Sequence, residues 1–241
     1  MFKHFILAMF VFFAFMQQSF AQHIYYKKIN LDSVRQFKDS VSRLVYVKKD
    51  TTLNFENHFN YVLKFFPEMD YRKITVILKP GKRVARIKPT FMCFFLAPKK
   101  RHYKMYFSTK CKSTLDSVIL NNLDLNSQLG LIARQMGYVQ DLSTDGFFDL
   151  VGWHFRQKSR ASRKRLEHEN ELKVLEQGLG YQMLALSIVE DEKLKIQNWT
   201  NARAYTKYVR HYKNEFMSPA GILNFIKDMP VYVSHKYRTI Q

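Results

Sequence analysis

Leu31, Val34, Val41 and Leu44 recur at helical spacing, so the stretch from Leu31 to Val45 is predicted to be an amphipathic helix. A second helix is predicted over Leu53 to Phe66, burying Phe55, Phe59, Val62, Leu63 and Phe66, and Pro67 ends it. The period then changes. Ile74 to Leu78, Arg86 to Leu96 and Tyr103 to Phe107 are β-rich runs, separated by Pro80-Gly81 and by Pro98 with its basic turn. Alternation puts Tyr103, Met105 and Phe107 on one face, while the middle run is apolar on both faces, as a central strand would be. Beyond them the pattern is helical. One helix carries Leu129, Ile132, Ala133, Met136 and Val139, with Asn126 or Ser127 as its cap and a break at Asp145-Gly146. A short apolar helix covers Phe147 to Phe155, and a longer one runs from near Ser162 towards Val189, weakened at Gly178 and Gly180. Ser218-Pro219 starts a last helix through Ile226, with serine as cap and proline in the first turn. No repeat, low-complexity tract or linker interrupts this order. It predicts one α+β domain with N-terminal helices, a small sheet of three or more strands and a helical C-terminal half.

The first residues change the picture of where that domain works. Lys3 gives a positive start, Phe5 to Met16 are uniformly apolar, and Ser19-Phe20-Ala21 offers small residues at a cleavage site, so residues 1–21 read as a secretory signal. The apolar run is shorter than the roughly 20 residues of a spanning helix. The expected product is an exported, soluble domain over residues 22–241, periplasmic or extracellular, with no transmembrane segment after cleavage. The formal net charge is +19, and the leader holds only Lys3 of it. Such an excess attracts polyanions: in an exported protein these are anionic lipid or lipopolysaccharide headgroups, acidic glycans and acidic partner proteins. Export argues against nucleic acid as a partner, and there is no RNP, KH or finger signature. Arg156, Lys158, Arg160, Arg163, Lys164 and Arg165 form the densest basic cluster, either a solvated connector or a binding patch. Cys93 and Cys111 both lie in or beside apolar runs; Cys93 reads as a buried free thiol, with a bridge between the two as the alternative.

Candidate chemistry begins in Leu131-Ile132-Ala133-Arg134-Gln135-Met136-Gly137-Tyr138-Val139. In the H-E-x-x-H motif two histidines at i and i+4 share a helix face and bind zinc, and the glutamate activates water. The frame here reads R-Q-x-x-Y. A second block, Leu166-Glu167-His168-Glu169-Asn170-Glu171, leads into Gly178-Leu179-Gly180-Tyr181-Gln182. Together the blocks resemble zincins whose third ligand is a glutamate on a later helix, followed four residues on by a supporting acid. They are similar to small secreted bacterial envelope proteins that pair a histidine-rich first motif with an acidic stretch and Gly-Leu-Gly-Tyr-Gln. The likeness extends to Phe66-Pro67-Glu68, to the basic hairpin at Lys99-Lys100-Arg101 and to Met217-Ser218-Pro219, over about residues 60 to 225. It implies a zincin-like fold, with Glu167 in the ligand position and Glu171 in the supporting one.

The departures fall on the chemistry. Arg134 cannot lose its proton to become a ligand, Gln135 cannot act as a base, and Tyr138 titrates near ~10. The resemblance therefore implies a catalytically inactive zincin-like protein without metal or cofactor, kept as a binding or scaffolding module of the cell envelope. Its partner would be an acidic envelope component or another protein. Two alternatives stand beside it: an active zinc metallopeptidase with rearranged ligands, and a basic surface-binding protein unrelated to zincins. The zincin geometry brings Arg134, Tyr138 and Glu167 to one point. A guanidinium there is expected to occupy the place of the metal's charge and to hold Glu167 by a charge-assisted bond, completed by the Tyr138 hydroxyl; the bland alternative leaves Arg134 and Glu167 in solvent. His154, His168, His211 and His235 are dispersed without ligand spacing. The glycines of Gly-Leu-Gly-Tyr-Gln read as close helix packing or a kink, and Tyr103 to Phe107 as an edge strand open to an extended peptide.

Overall fold

The computed structural model describes residues 27–36, 45–48, 55–69, 73–89, 95–97, 100–111, 113–144, 146–156, 159–194 and 216–233. The predicted leader, Cys93, His211 and His235 lie outside them. The architecture is α+β: a four-stranded mixed sheet against a helical half, joined by one contiguous core.

Helix α1 spans Leu31–Gln36, and strand β1 spans Val45–Lys48. The first predicted helix therefore does not reach Val45, where two β-branched residues flank Tyr46 and start the sheet instead. Helix α2, Glu56–Leu63, buries Phe59, Val62 and Leu63, and Pro67 opens a short 3-10 turn after it. Strands β2 (Lys73–Lys79), β3 (Ala85–Pro89) and β4 (His102–Ser108) complete the sheet in the order β1-β2-β4-β3. β1 and β4 both run parallel to β2, and β3 is antiparallel to β4. Tyr103, Met105 and Phe107 do share the buried face, joined by Ile74, Val76 and Leu78, and the Phe59 ring meets Phe107 edge-on at 5.3 Å.

Two expectations are overturned by this order. The run beginning at Arg86 is an edge strand among the described residues: β3 ends the strand order beside β4, and Ala85 and Ile87 are partly buried while Arg86 and Lys88 are exposed. β4 has a neighbour on each side, so its backbone groups are already paired and it cannot take up an extended peptide. The basic turn before β4 is also not wholly solvated. Arg101 is 2% exposed, and its guanidinium donates to the carbonyls of Leu96 (3.1 Å) and Leu142 (2.8 Å), where the Tyr103 hydroxyl donates too. A cation there complements the carboxyl end of the next long helix.

That helix, α3 (Leu125–Thr144), is buried at every residue from 129 to 139, as a helix through the middle of a core must be. Its cap is Asp124, which accepts from the Asn126 and Ser127 backbone N–H groups, rather than either residue predicted. The Asn126 side chain instead ties down Ile29 by accepting from its N–H at 2.9 Å. Helices α4 (Phe147–Arg156) and α5 (Arg160–Val174) follow, then a π-turn over Leu175–Leu179 and helix α6 (Gly180–Leu194). Gly178 sits at φ 89°, a conformation other residues rarely adopt, and this divides the predicted long helix in two. Helix α7 (Pro219–Asp228) has Ser218 as its cap, accepting from Gly221 N–H, and is followed by the short α8, Pro230–Val233.

Tyr232 of α8 closes the break between α5 and α6. Its hydroxyl donates to the Leu175 carbonyl at 2.5 Å and accepts from the Gly180 N–H at 2.7 Å. Tyr232→Phe is expected to cost about 1–3 kcal/mol, since both backbone groups would be left buried and unmatched. Chemical denaturation measures the loss, and faster amide exchange at Gly180 would locate it. Among the described residues no helix is long and apolar enough to cross a membrane.

Candidate functional site

Arg134 is the sole charged residue of α3 before Asp141, and it lies in the helix's fully buried stretch with 1% exposure. A cation so placed requires buried acidic partners, and two glutamates face it. Glu190 of α6 takes the guanidinium in a two-pronged bond, Nη1 to Oε1 at 2.8 Å and Nη2 to Oε2 at 3.0 Å. Glu171 of α5 stands on the other side, its Oε1 3.0 Å from Nη2. The guanidinium lies over the Phe216 ring, 4.0 Å from its centre, so that one flat face is covered by an aromatic. Glu171 also accepts from the Met217 N–H at 2.6 Å, and Ser187 donates to the Met217 carbonyl at 3.0 Å. The segment before α7 is thereby clamped onto the charged cluster.

The frame residues divide into two layers. Arg134 meets Glu171, one helical turn past Glu167, and Tyr138 meets Glu167. The expectation that Arg134 grips Glu167 is therefore corrected: the facing register of α3 and α5 puts Glu171 opposite Arg134, and α6 brings Glu190 within reach. Burial and then the neighbouring Glu167 carboxylate hold the Tyr138 phenol protonated well above the ordinary tyrosine range. Gln135 is buried beside them. Tyr138 and Glu167 line a cavity of about 60 Å³ with Arg83, Arg163 and Leu166. It is far smaller than the roughly 300–1,000 Å³ of small-molecule sites and has room for a few waters.

α3 and α5 approach closely at Gly137, where no side chain stands between them. A Cβ at Gly137 would stand 2.4 Å from Asn170 Oδ1 and 3.0 Å from Val174 Cγ2. Asn170, fully buried, donates through Nδ2 to the Arg134 carbonyl at 2.9 Å and locks the two helices in register. A Lys173–Asp141 ion pair closes the far end of the same contact.

Burial pushes the Glu171 carboxyl up to about 8 against the opposing pull of Arg134 and of the Met217 N–H, with Glu190 and Glu167 adding to the rise. Near neutral pH the Arg134 guanidinium thus stands beside a largely protonated Glu171. Burial and then Lys164 lower the pKa of His168, while the Phe216 backbone works the other way.

The residues present do not fit zinc. Arg134 and Tyr138 are a cation and a protonated phenol, neither a zinc ligand, and the acids near them are engaged with these two side chains. Among the described residues, no three His, Cys, Asp or Glu side chains are grouped to hold a metal ion. Glu190 was absent from the sequence expectations, although a signal existed. Met183, Leu186, Glu190 and Leu194 fall on one buried stripe of α6, and a lone carboxylate in an apolar stripe calls for a buried cation. No family model, curated protein or solved structure matches this chain.

Proposed function

We propose that this chain is a catalytically inactive zincin-like protein of the cell envelope, in which the Arg134 guanidinium stands where a metal's charge would be, and that it works as a binding or scaffolding module. The observation carrying this reading is the burial of Arg134 between Glu171 and Glu190, with Tyr138 against Glu167. Four residues from the two motif blocks and one from α6 meet on the facing sides of three helices. An internal strut of this kind keeps the frame of a metal site and uses its positive charge for structure instead of hydrolysis. The leader-like first residues and the positive charge support export and an acidic partner.

Metal content tests it. The purified protein, loaded with zinc and desalted, is expected to retain none, whereas Arg134→His/Gln135→Glu/Tyr138→His binds about one equivalent, zinc restoring a cation beside Glu171 and Glu190. Stoichiometric zinc in the unaltered protein would move a hydrolase with unusual ligands to the front. A triple variant that folds yet takes up no zinc would sink the metal-site ancestry.

A further inference from the structure

Residues 71–115 contain thirteen lysines and arginines and not one aspartate or glutamate. Strands β2, β3 and β4 all lie within this stretch, and their inward positions are apolar, so the charge is driven to the other face of the sheet. There Lys79, Arg86, Lys88 and Lys104 are all exposed. The register sets Lys88 directly opposite Lys104, and Tyr106 opposite both Arg86 and Ile77. The Tyr106 ring is flanked by Lys79 Nζ at 5.0 Å and by the Arg86 guanidinium carbon at 4.8 Å.

Like charges facing across a ladder destabilise a sheet, and a face maintained only for solubility mixes both signs. This one does not. From this face we infer a docking surface for an anionic lipid bilayer. Its cations spread over adjacent strands of an open sheet, a geometry matched to a plane of anionic headgroups. Tyr106 presents an amphipathic ring of the kind that settles at a membrane interface. Its faces are already taken up by Lys79 and Arg86, which leaves it poorly placed to stack on nucleic-acid bases. Phe95, in the connection from β3 to β4, is 69% exposed, and hydrocarbon rewards such a side chain where a phosphate backbone does not. The sheet face owes nothing to the R-Q-x-x-Y frame, so it stands or falls separately from the metal-site ancestry.

Co-sedimentation with vesicles tests it. The protein is expected to bind phosphatidylcholine vesicles carrying about 30% phosphatidylglycerol, to release them in high salt, and to ignore pure phosphatidylcholine. Lys79→Gln/Arg86→Gln/Lys88→Gln/Lys104→Gln should lower the partition coefficient roughly 30-fold or more. A control removing four exposed cations elsewhere, Lys28→Gln/Arg35→Gln/Lys164→Gln/Lys227→Gln, should lower it less than about threefold. The comparison holds whichever N terminus the purified protein carries, and matching unfolding curves establish that both variants fold. If the fourfold face variant does not fold, Lys88→Gln/Lys104→Gln, which only relieves a like-charge pair, should still weaken binding roughly fivefold. Equal losses in face variant and control would overturn the surface. Failure to bind anionic vesicles, with an oligonucleotide bound through the same four residues, would overturn the choice of lipid.

Discussion

Arg134→Ala is expected to lower the free energy of unfolding by about 3–5 kcal/mol, a large part of the stability of a domain this size. The loss does not measure what the ion pairs contribute. Taking charged groups out of water costs several kcal/mol for each, and their attraction only offsets it. Without Arg134, Glu190 loses both of its short charge-assisted bonds and Glu171 loses the guanidinium beside it, while Phe216 covers an empty volume. The truncated protein must then protonate Glu190, admit water or open α6 away from α3. Urea denaturation of the variant measures the loss, and a fall under about 1 kcal/mol would show that the guanidinium is not holding the three helices together. A second variant separates charge from packing. Arg134→Met/Glu171→Gln/Glu190→Leu replaces the cluster with groups of similar bulk, and it should recover most of the loss because no buried charge is left without a partner.

Local signals in the sequence carried much of this fold. Ser218-Pro219 begins α7, and Tyr103, Met105 and Phe107 alternate into the core as their period requires, while α2 ends at Leu63, short of Pro67. What the sequence reading missed was long-range. Nothing local to Tyr103–Phe107 says that β4 is inserted between β2 and β3, because strand order depends on where the chain returns, and a central and an edge strand can share one alternation. The Arg86 run has a central strand's composition once its later aromatics are included, whereas β3 itself alternates cation and aliphatic as an edge does. Gly178 was read as a weakness or kink inside one helix. The left-handed φ makes it a full break, and the residue that stabilises the break, Tyr232, is more than fifty positions away.

The site was legible to a similar depth. The R-Q-x-x-Y frame and the acidic block pointed to two helices that do pack together, with Arg134 buried rather than solvated. Motif spacing alone could not decide which acid it meets. Helical periodicity places Glu167 and Glu171 on one side of α5, one turn apart, and a shift of a single turn in how α3 lies on α5 exchanges their partners. Asn170 and Gly137 fix that shift, through a side-chain bond to a main-chain carbonyl and a missing Cβ, neither of which leaves a charge pattern to read. Glu190 left one, as the only acid on an apolar stripe.

The protonation of Glu171 makes stability fall as pH rises through neutrality, the reverse of what a surface ion pair would do. Its carboxyl titrates near 4.5 in the unfolded chain and at about 8 in the folded protein. Between those values the native state holds a proton that the unfolded state has released. The stabilisation is complete below the lower value and lost as pH approaches the upper one, by at most about 1.4 kcal/mol per pH unit. Other buried groups limit where this is seen cleanly. Burial lowers His58 from 6.5 to about 4, so the native state gains stability as pH rises to 6.5 and offsets Glu171 there. Lys64 is lowered from 10.5 to about 8 by burial, and its effect, a gain with rising pH, begins where that of Glu171 ends. The interval from pH 6.5 to 8 belongs to Glu171, and stability should drop there by about 2 kcal/mol. The groups facing it are Arg134 from α3, Glu167 on its own helix, Glu190 from α6 and the Met217 N–H ahead of α7. Glu171→Gln keeps the neutral form and its acceptor for Met217 at every pH, so the variant should lose the slope between pH 6.5 and 8 while matching the unaltered protein near pH 6.5. Parallel slopes in the two proteins would mean that Glu171 stays ionised beside Arg134, and the cluster would then carry a net negative charge in the core.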